Sequence, residues 1–337
     1  MSNQAMEDER ISIIIPAWEE ETVLHDTLNS IEGVDYRPDL IDVTIVAGGG
    51  KTIEIARSFC EKSGLNAQVL VQDDRSGKNQ AILQGIRATD GQIIVLLDAD
   101  TVVTKGWLEG LVKMLREGYD VVNGHQEPVV DNWVTRYELA SNEMMLAKNG
   151  LVYLLGNSSI ALRRESIAAK MEEYFDPRVY RGVDWMLTKK LRENGSRIGY
   201  AKDALVKTHI ASTLNEFIVQ HRRWDDACLP YEVGMYGYKG RLYYALMSCS
   251  LLATIIPGLW SIPALAVLCV YGLRRATDFR RTFGGIPRFS MIYTFQGFIS
   301  WMALDLLMMM LSTISLLSYL VGASKSHKRF KGPRPVG

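Results

Sequence analysis

The stretch IIVLLDADT, residues 93–101, decides the fold. Five apolar side chains run without interruption into two aspartates, Asp98 and Asp100, with a single alanine between them. A short apolar run closed by polar residues reads as a strand buried on both faces, the kind found in parallel sheets. Upstream, ISIIIPA (11–17), IDVTIVAGGG (41–50) and AQVLVQ (67–72) repeat the pattern. Between them lie the amphipathic stretches EEETVLHDTLNSIEG, TIEIARSFCEKSG and GKNQAILQGIRAT. Strand alternating with helix predicts an α/β fold with a doubly wound, mostly parallel sheet. Ligands of such sheets bind beyond the carboxyl ends of the strands, where these four runs all finish in turn-forming or acidic residues. From about residue 126 to 241 the pattern loosens into helical stretches with one short apolar run, SSIALRR.

Net charge over the 337 residues is zero, but its distribution is uneven. Residues 1–241 carry 28 Lys and Arg against 36 Asp and Glu, while 242–337 carry 10 against 2, so the two parts stand at −8 and +8. The basic part has neither zinc-ligand spacing nor the aromatic pattern of an RNA reader, and no nucleic-acid partner is expected. Its charges instead flank two apolar stretches, 242–273 with no charge and 289–324 with only Asp305. About 20 apolar residues span a bilayer. The five arginines of RRATDFRRTFGGIPR and the basic tail from Lys325 place both on the cytosolic side by the positive-inside rule. The expected organisation is a cytosolic catalytic domain over 1–241, a transmembrane region over 242–324 with two to four crossings, and a basic cytosolic tail over 325–337. The polar, acidic start MSNQAMEDER does not resemble a signal peptide, and the expected location is the cell membrane. The four cysteines show no paired spacing and read as buried thiols.

Asp98 and Asp100 stand at i and i+2, which on extended backbone turns both carboxylates to one face. Like charges that close repel unless a cation or donors lie between them, and Mg²⁺ takes one or two carboxylates together with substrate phosphates. The plainer alternative is a solvated pair, with Asp100 or Thr101 capping a helix over TVVTKGWLEGLVKML. Gly77 and Lys78 precede a helix, where a flexible backbone and a cation favour anionic oxygens. Neither this stretch nor AGGGKT (47–52) has the glycine spacing of a phosphate-loop NTPase. Asp184 lies near the start of a helical stretch, where a carboxylate also serves the helix dipole. Gln220, Arg223 and Trp224 of QHRRW fall within about one helical turn, and Trp with Arg also marks a membrane boundary.

Taken in order, IIIPAWEEE, VAGGGKT, GKNQAILQG, LLDADT, GNSSIALRRESI, VDWMLTKKLRENG and QHRRW resemble glycosyltransferase family 2, inverting enzymes with a GT-A fold. The likeness covers residues 11–224, and QHRRW ahead of apolar stretches is similar to the membrane synthases of that family, such as cellulose and hyaluronan synthases. The resemblance implies a Rossmann-like GT-A sheet and transfer of a sugar from a UDP- or GDP-sugar to a lipid-linked or glycan acceptor. Asp98 and Asp100 would then hold Mg²⁺ or Mn²⁺ and the nucleotide, with Asp100 the direct ligand. Lys78 would hold the diphosphate, and Pro16, Ala17 and Glu19 would line the nucleotide. Asp184 would be the general base, and Gln220, Arg223 and Trp224 would border the acceptor and diphosphate. Two positions depart from the family: Ala47 stands where an acid usually follows the second strand, and Val183 where a glutamate precedes the base. Asp73 or Asp74 could hold the nucleoside instead. A processive polysaccharide synthase, a non-catalytic membrane scaffold with a degenerate fold and a nucleotidyltransferase sharing the sheet are the competing readings.

Overall fold

The computed structural model describes residues 9–72, 77–146, 158–177, 183–236, 270 and 295–321. Asp73, Asp74, the arginine-rich loop, the basic tail and nearly all of the apolar stretch 242–273 lie outside them. The chain divides into two compact units, residues 1–129 with 145–210, and residues 130–144 with 211–337.

The first unit opens with β1 (Ile11–Trp18), α1 (Leu24–Ile31), β2 (Ile41–Gly48), α2 (Gly50–Lys62), β3 (Asn66–Val71), α3 (Lys78–Arg87) and β4 (Ile93–Leu97). These are the seven elements the hydrophobic pattern predicts. β3, β2, β1 and β4 pair in parallel in that spatial order. The strand sequence therefore reverses at β1, and the crevice above the carboxyl ends of β1 and β4 is the topological switch point where doubly wound sheets bind ligands.

Strand periodicity distributes the core to both faces. In β4, Ile93, Val95 and Leu97 join the cluster that contains Leu24, Leu28 and Phe59 of α1 and α2. Ile94 and Leu96 face the opposite cluster with Ala81, Ile82 and Ile86 of α3. Continued past the strand, this alternation sends Ala99 to the α1 face, where its carbonyl accepts a 2.7 Å bond from Thr27 Oγ1. The aspartates on either side of Ala99 are left to the α3 face.

Beyond Asp100 the structure departs from expectation. The TVV that could have begun a capped helix is instead β5 (Thr101–Val103), and α4 (Trp107–Arg116) starts only at Trp107. Then follow β6 (Val121–Pro128), α5 (Trp133–Leu146), β7 (Ser159–Arg163), α6 (Arg164–Ala168), α7 (Met171–Tyr174), α8 (Val183–Glu193), β8 (Ile198–Thr208) and α9 (Leu214–Tyr236). The finished sheet has eight strands in the order β3-β2-β1-β4-β7-β6-β8-β5. β7 runs antiparallel to β4 and β6, and β5 antiparallel to β8, so the sheet is mixed rather than mostly parallel along its whole width. β8 carries exposed Lys202 and Asp203 at its centre, and its pairing with β6 shifts register between Gly124 and His125. That irregularity breaks the period of two by which a strand is recognised.

The second unit contains α9 and α10 (Phe295–Leu320), which pack on each other, and most of α5. Val134, Tyr137, Leu139, Phe217 and Leu304 form its apolar centre. Among the described residues no helix is long and apolar enough to cross a membrane.

Candidate active site

Three elements of the first unit deliver charged side chains to the switch point. Asp98 is the first residue after β4, and its N–H donates to the Ser158 carbonyl at 3.2 Å. A turn closed by the Thr101 N–H on the Asp98 carbonyl at 3.2 Å then carries Asp100 past it. From α3, Lys78 reaches Asp98 and pairs with its Oδ1. Gly77 just before it adopts φ 98°, a left-handed conformation that glycine takes without steric cost and that lets Lys78 open the helix. α8 supplies Asp184 in its first turn.

The electrostatics tie these groups together. Burial lowers the affinity of the Lys78 amine for its proton, yet the carboxylates of Asp98 and Asp184 more than reverse this, and the ammonium is held above its ordinary value. The Asp100 carboxyl is pushed up by burial and by the neighbouring Asp98. Asp184 is raised to about 7, chiefly by burial, with Lys78 pulling it down and Asp98 pushing it up. Its Oδ1 is buried without a hydrogen-bond partner among the described residues. A buried carboxylate oxygen with no donor is costly unless a ligand supplies one.

A fourth carboxyl belongs to the cluster. Glu19, expected to line the nucleotide, is exposed, and its left-handed φ of 57° turns the chain sharply after β1. Its N–H donates to the Gly48 carbonyl at 3.0 Å, and the next N–H, of Glu20, to Thr52 Oγ1 at 2.9 Å. Glu20 is thereby brought into the field of Asp100, Asp98 and Lys78, and its carboxyl is raised to about 7, first by burial and then by those aspartates. Nothing in a run of three glutamates says which one turns inward. Pro16 and Ala17 sit at the end of β1, in register with Val46 and Ala47 of β2. Trp18 follows, its indole lying across Gly48 so closely that a Cβ there would come within 2.1 Å of the ring. Ala47, where the family carries an acid, is fully buried.

Among the described residues Glu20, Asp98, Asp100 and Asp184 thus share one cation, Lys78. Hard oxygen donors in excess of positive charge suit Mg²⁺ or Mn²⁺. Among the described residues no group of three or more His, Cys, Asp or Glu is arranged to hold a metal alone. The residues fit an ion that draws its remaining ligands from a bound diphosphate, with Asp100, which lacks the lysine partner of Asp98, as the available carboxylate.

The QHRRW residues belong to the second unit. Thr213 and Glu216 form a capping box for α9: Glu216 N–H donates to Thr213 Oγ1 at 3.3 Å, and Glu216 Oε2 accepts from the Thr213 N–H at 3.1 Å. Gln220 Oε1 accepts from the Ala211 N–H at 3.2 Å and so fastens the entry to the same helix. Arg223 is exposed, and Trp224, also exposed, stands edge-on to His221 with ring centroids 5.1 Å apart. His221 is buried and pairs through Nε2 with Glu138 of α5, a role its place inside the motif did not announce.

A mixed sheet whose parallel half ends in an acidic switch point, with one lysine among the described residues there, defines the class as an α/β protein with its charged cluster where such sheets bind ligands. Comparison with known proteins specifies it. Residues 12–168 match the model of Glycosyl transferase family 2, and residues 93–323, more than half of the chain, match that of Glycosyl transferase family group 2. The chain belongs to Glycosyl transferase family group 2, and its sheet is GT-A-like. It is 28% identical over 238 residues to an N-acetylglucosaminyltransferase of Azorhizobium caulinodans, a match covering 64% of this chain and 58% of that protein. With the glycosyltransferase AglE of Haloferax volcanii it shares 26% over 219 residues, or 63% of this chain and 71% of the other. The chain therefore spans little more than half the length of the first of these relatives. Among solved structures it is similar to a mannosyltransferase of Pyrobaculum calidifontis in complex with GDP-Man and Mn²⁺, at 17% identity and a TM-score of 0.66, covering 94% of this chain and 88% of that one.

Proposed function

We propose that the chain transfers a sugar from a UDP- or GDP-sugar to a lipid-linked or glycan acceptor, with inversion at the anomeric carbon. The observation that carries this reading is the meeting at the switch point of the Lys78–Asp98 ion pair, Asp100 and the buried Asp184 Oδ1, which has no hydrogen-bond partner among the described residues. Breaking the bond between the anomeric carbon and the diphosphate leaves negative charge on the departing oxygen. Lys78 faces that charge from the start of α3 and neutralises it together with the helix terminus. A divalent ion, when bound through Asp100 and Asp98, supplies further charge neutralisation to the leaving group.

Asp184 takes the proton of the acceptor hydroxyl as its oxygen forms the new bond to the anomeric carbon. A base works best when its affinity for protons lies near the operating pH, and burial has raised this one to about 7. Attachment to a membrane through the apolar stretches 242–273 and 289–324 would keep a lipid-linked acceptor within reach. The mannosyltransferase similar in fold was solved with GDP-Man and Mn²⁺, in keeping with divalent-metal use here.

The test is donor hydrolysis and transfer across a panel of UDP- and GDP-sugars, with Mn²⁺ or Mg²⁺, using extracted lipids as acceptors. Turnover of one donor that disappears in Asp184→Asn supports the reading. Turnover of none, or full turnover in that variant, overturns it. Chromatography of the labelled lipid product gives one new species for single transfer and a ladder for polymer synthesis.

A further inference from the structure

Strand β6, VVNGHQEP, turns polar halfway along, although it lies inside the sheet between β7 and β8. Its first four residues are buried, whereas His125, Gln126 and Glu127 are only partly so. Val121 packs in the cluster that holds Leu187 and Leu191 of α8 and Ala81 and Ile82 of α3, and Val122 packs in the opposite one. Alternation along the strand then sends Asn123, His125 and Glu127 to the same face as Asp98 and Asp100. The contacts agree. A 2.6 Å hydrogen bond joins His125 Nδ1 to the hydroxyl of Tyr200, a β8 residue packed against that same cluster, and His125 Nε2 lies 4.0 Å from Glu127 Oε1.

Register sets this group beside the acids. Leu97 of β4 pairs with Ser159 of β7, and Asn123 of β6 pairs with Ile160, so Asp98 and His125 fall in one row on either side of Ser158. Two strand spacings separate them, about 10 Å. One sugar residue bridges that distance with a hydrogen bond at each end. Gly124 pairs with Ala201 but His125 with Leu205, so Lys202, Asp203 and Ala204 interrupt the ladder beside His125. Irregularities of this kind next to active sites re-aim side chains.

The chemistry of the group selects its ligand. The tyrosine hydroxyl and the imidazole each donate and accept, Glu127 accepts, and the exposed Lys207, in register with Glu127, donates. Such a mixed set suits hydroxyl groups, which also do both. A phosphate at neutral pH chiefly accepts, so Glu127 offers it no hydrogen bond. It would also bring more negative charge to an edge where Glu20, Asp98, Asp100 and Asp184 already surround Lys78. We propose that His125, Tyr200 and Glu127 form the acceptor subsite, and that the acceptor group held there is a sugar residue, one hydroxyl of which reaches Asp184, rather than a lipid phosphate. This rests on the transfer reaction proposed above and adds the class of acceptor and the residues that hold it.

The test gives the full chain, with Mn²⁺ and the donor it turns over, octyl glycosides of glucose, galactose, mannose and N-acetylglucosamine, and separately farnesyl phosphate. The expected result is transfer to a glycoside and not to farnesyl phosphate. In Tyr200→Phe and in Glu127→Gln the acceptor KM should rise about tenfold, the worth of one hydrogen bond to a bound hydroxyl, with donor KM within about twofold of the parent. Transfer to farnesyl phosphate alone overturns the proposal and leaves the transfer reaction standing. Transfer to a glycoside with acceptor KM unchanged in both variants overturns it as well, as does a joint rise of acceptor and donor KM, which assigns these residues to the fold. Turnover of no donor by the parent chain removes the transfer reaction itself, and the subsite with it.

Discussion

Lys78 Nζ and Asp98 Oδ1 form an ion pair across the switch point, joining the first residue of α3 to the first residue after β4. Among the described residues the lysine is the one cation amid four acidic side chains, so its removal leaves them to repel one another and strips the diphosphate of a partner. Lys78→Met is expected to lower kcat by about 10²–10³, the size typical of losing one preorganised group at a site of developing charge. Steady-state kinetics with the active donor check this, and Lys78→Arg should recover part of the loss.

Asp184 sets the pH dependence. Its carboxyl titrates near 7 in the folded protein, against an ordinary value of 3.8. With the base needed unprotonated, kcat/KM should rise about tenfold per pH unit below about 7 and level off above it. Asp184→Asn is expected to cost about 10²–10⁴ in rate.

The same raised carboxyl affects stability. Between about pH 4 and 7 the unfolded chain has released this proton while the folded chain still holds it, so rising pH destabilises the native state through that window. Asp184→Asn removes the effect. Its Tm advantage over the parent chain should be absent near pH 4, grow towards pH 7 and then stay constant, as differential scanning calorimetry at several pH values would show.

Trp18 and Gly48 are coupled by contact. A methyl group added at Gly48 would overlap the indole, which lies 2.1 Å from that position, so Gly48→Ala should cost about 1–3 kcal/mol. Trp18→Ala in the same chain should recover part of that loss. Urea unfolding of the single and double variants measures the interaction as a departure from additivity.

Glu138 and His221 form a buried pair between α5 and α9. Removing either side chain alone leaves the other buried without its partner, at a cost of about 1–3 kcal/mol. The apolar pair Glu138→Met with His221→Leu should restore much of the stability. A double-mutant cycle by chemical denaturation distinguishes the coupling from two independent losses.

Half of the sheet was legible because β1, β2 and β4 are buried on both faces and read as short, largely apolar runs, and the half-exposed edge strand β3 repeats their spacing between helices. β8 was not, since it carries charge at its centre and pairs with β6 through an irregular register. The acid pair and Lys78 were legible because a helix start and a strand end meet at a known edge of this fold type. Glu20 was not, because its inward turn depends on the left-handed backbone of Glu19, a conformation that no pattern of side chains foretells. His221 was hidden for another reason: within QHRRW its neighbours draw attention, while its partner Glu138 lies 83 residues away in sequence.

The central claim is that the Asp98–Asp100 pair and Lys78 hold a nucleotide diphosphate together with a divalent ion. Calorimetric titration of UDP and of GDP into the full chain, with and without Mn²⁺, tests it most directly. The expected result is binding of one nucleotide that requires Mn²⁺ and is lost in Asp100→Asn. Binding of equal strength without the metal, or unchanged in that variant, would contradict it.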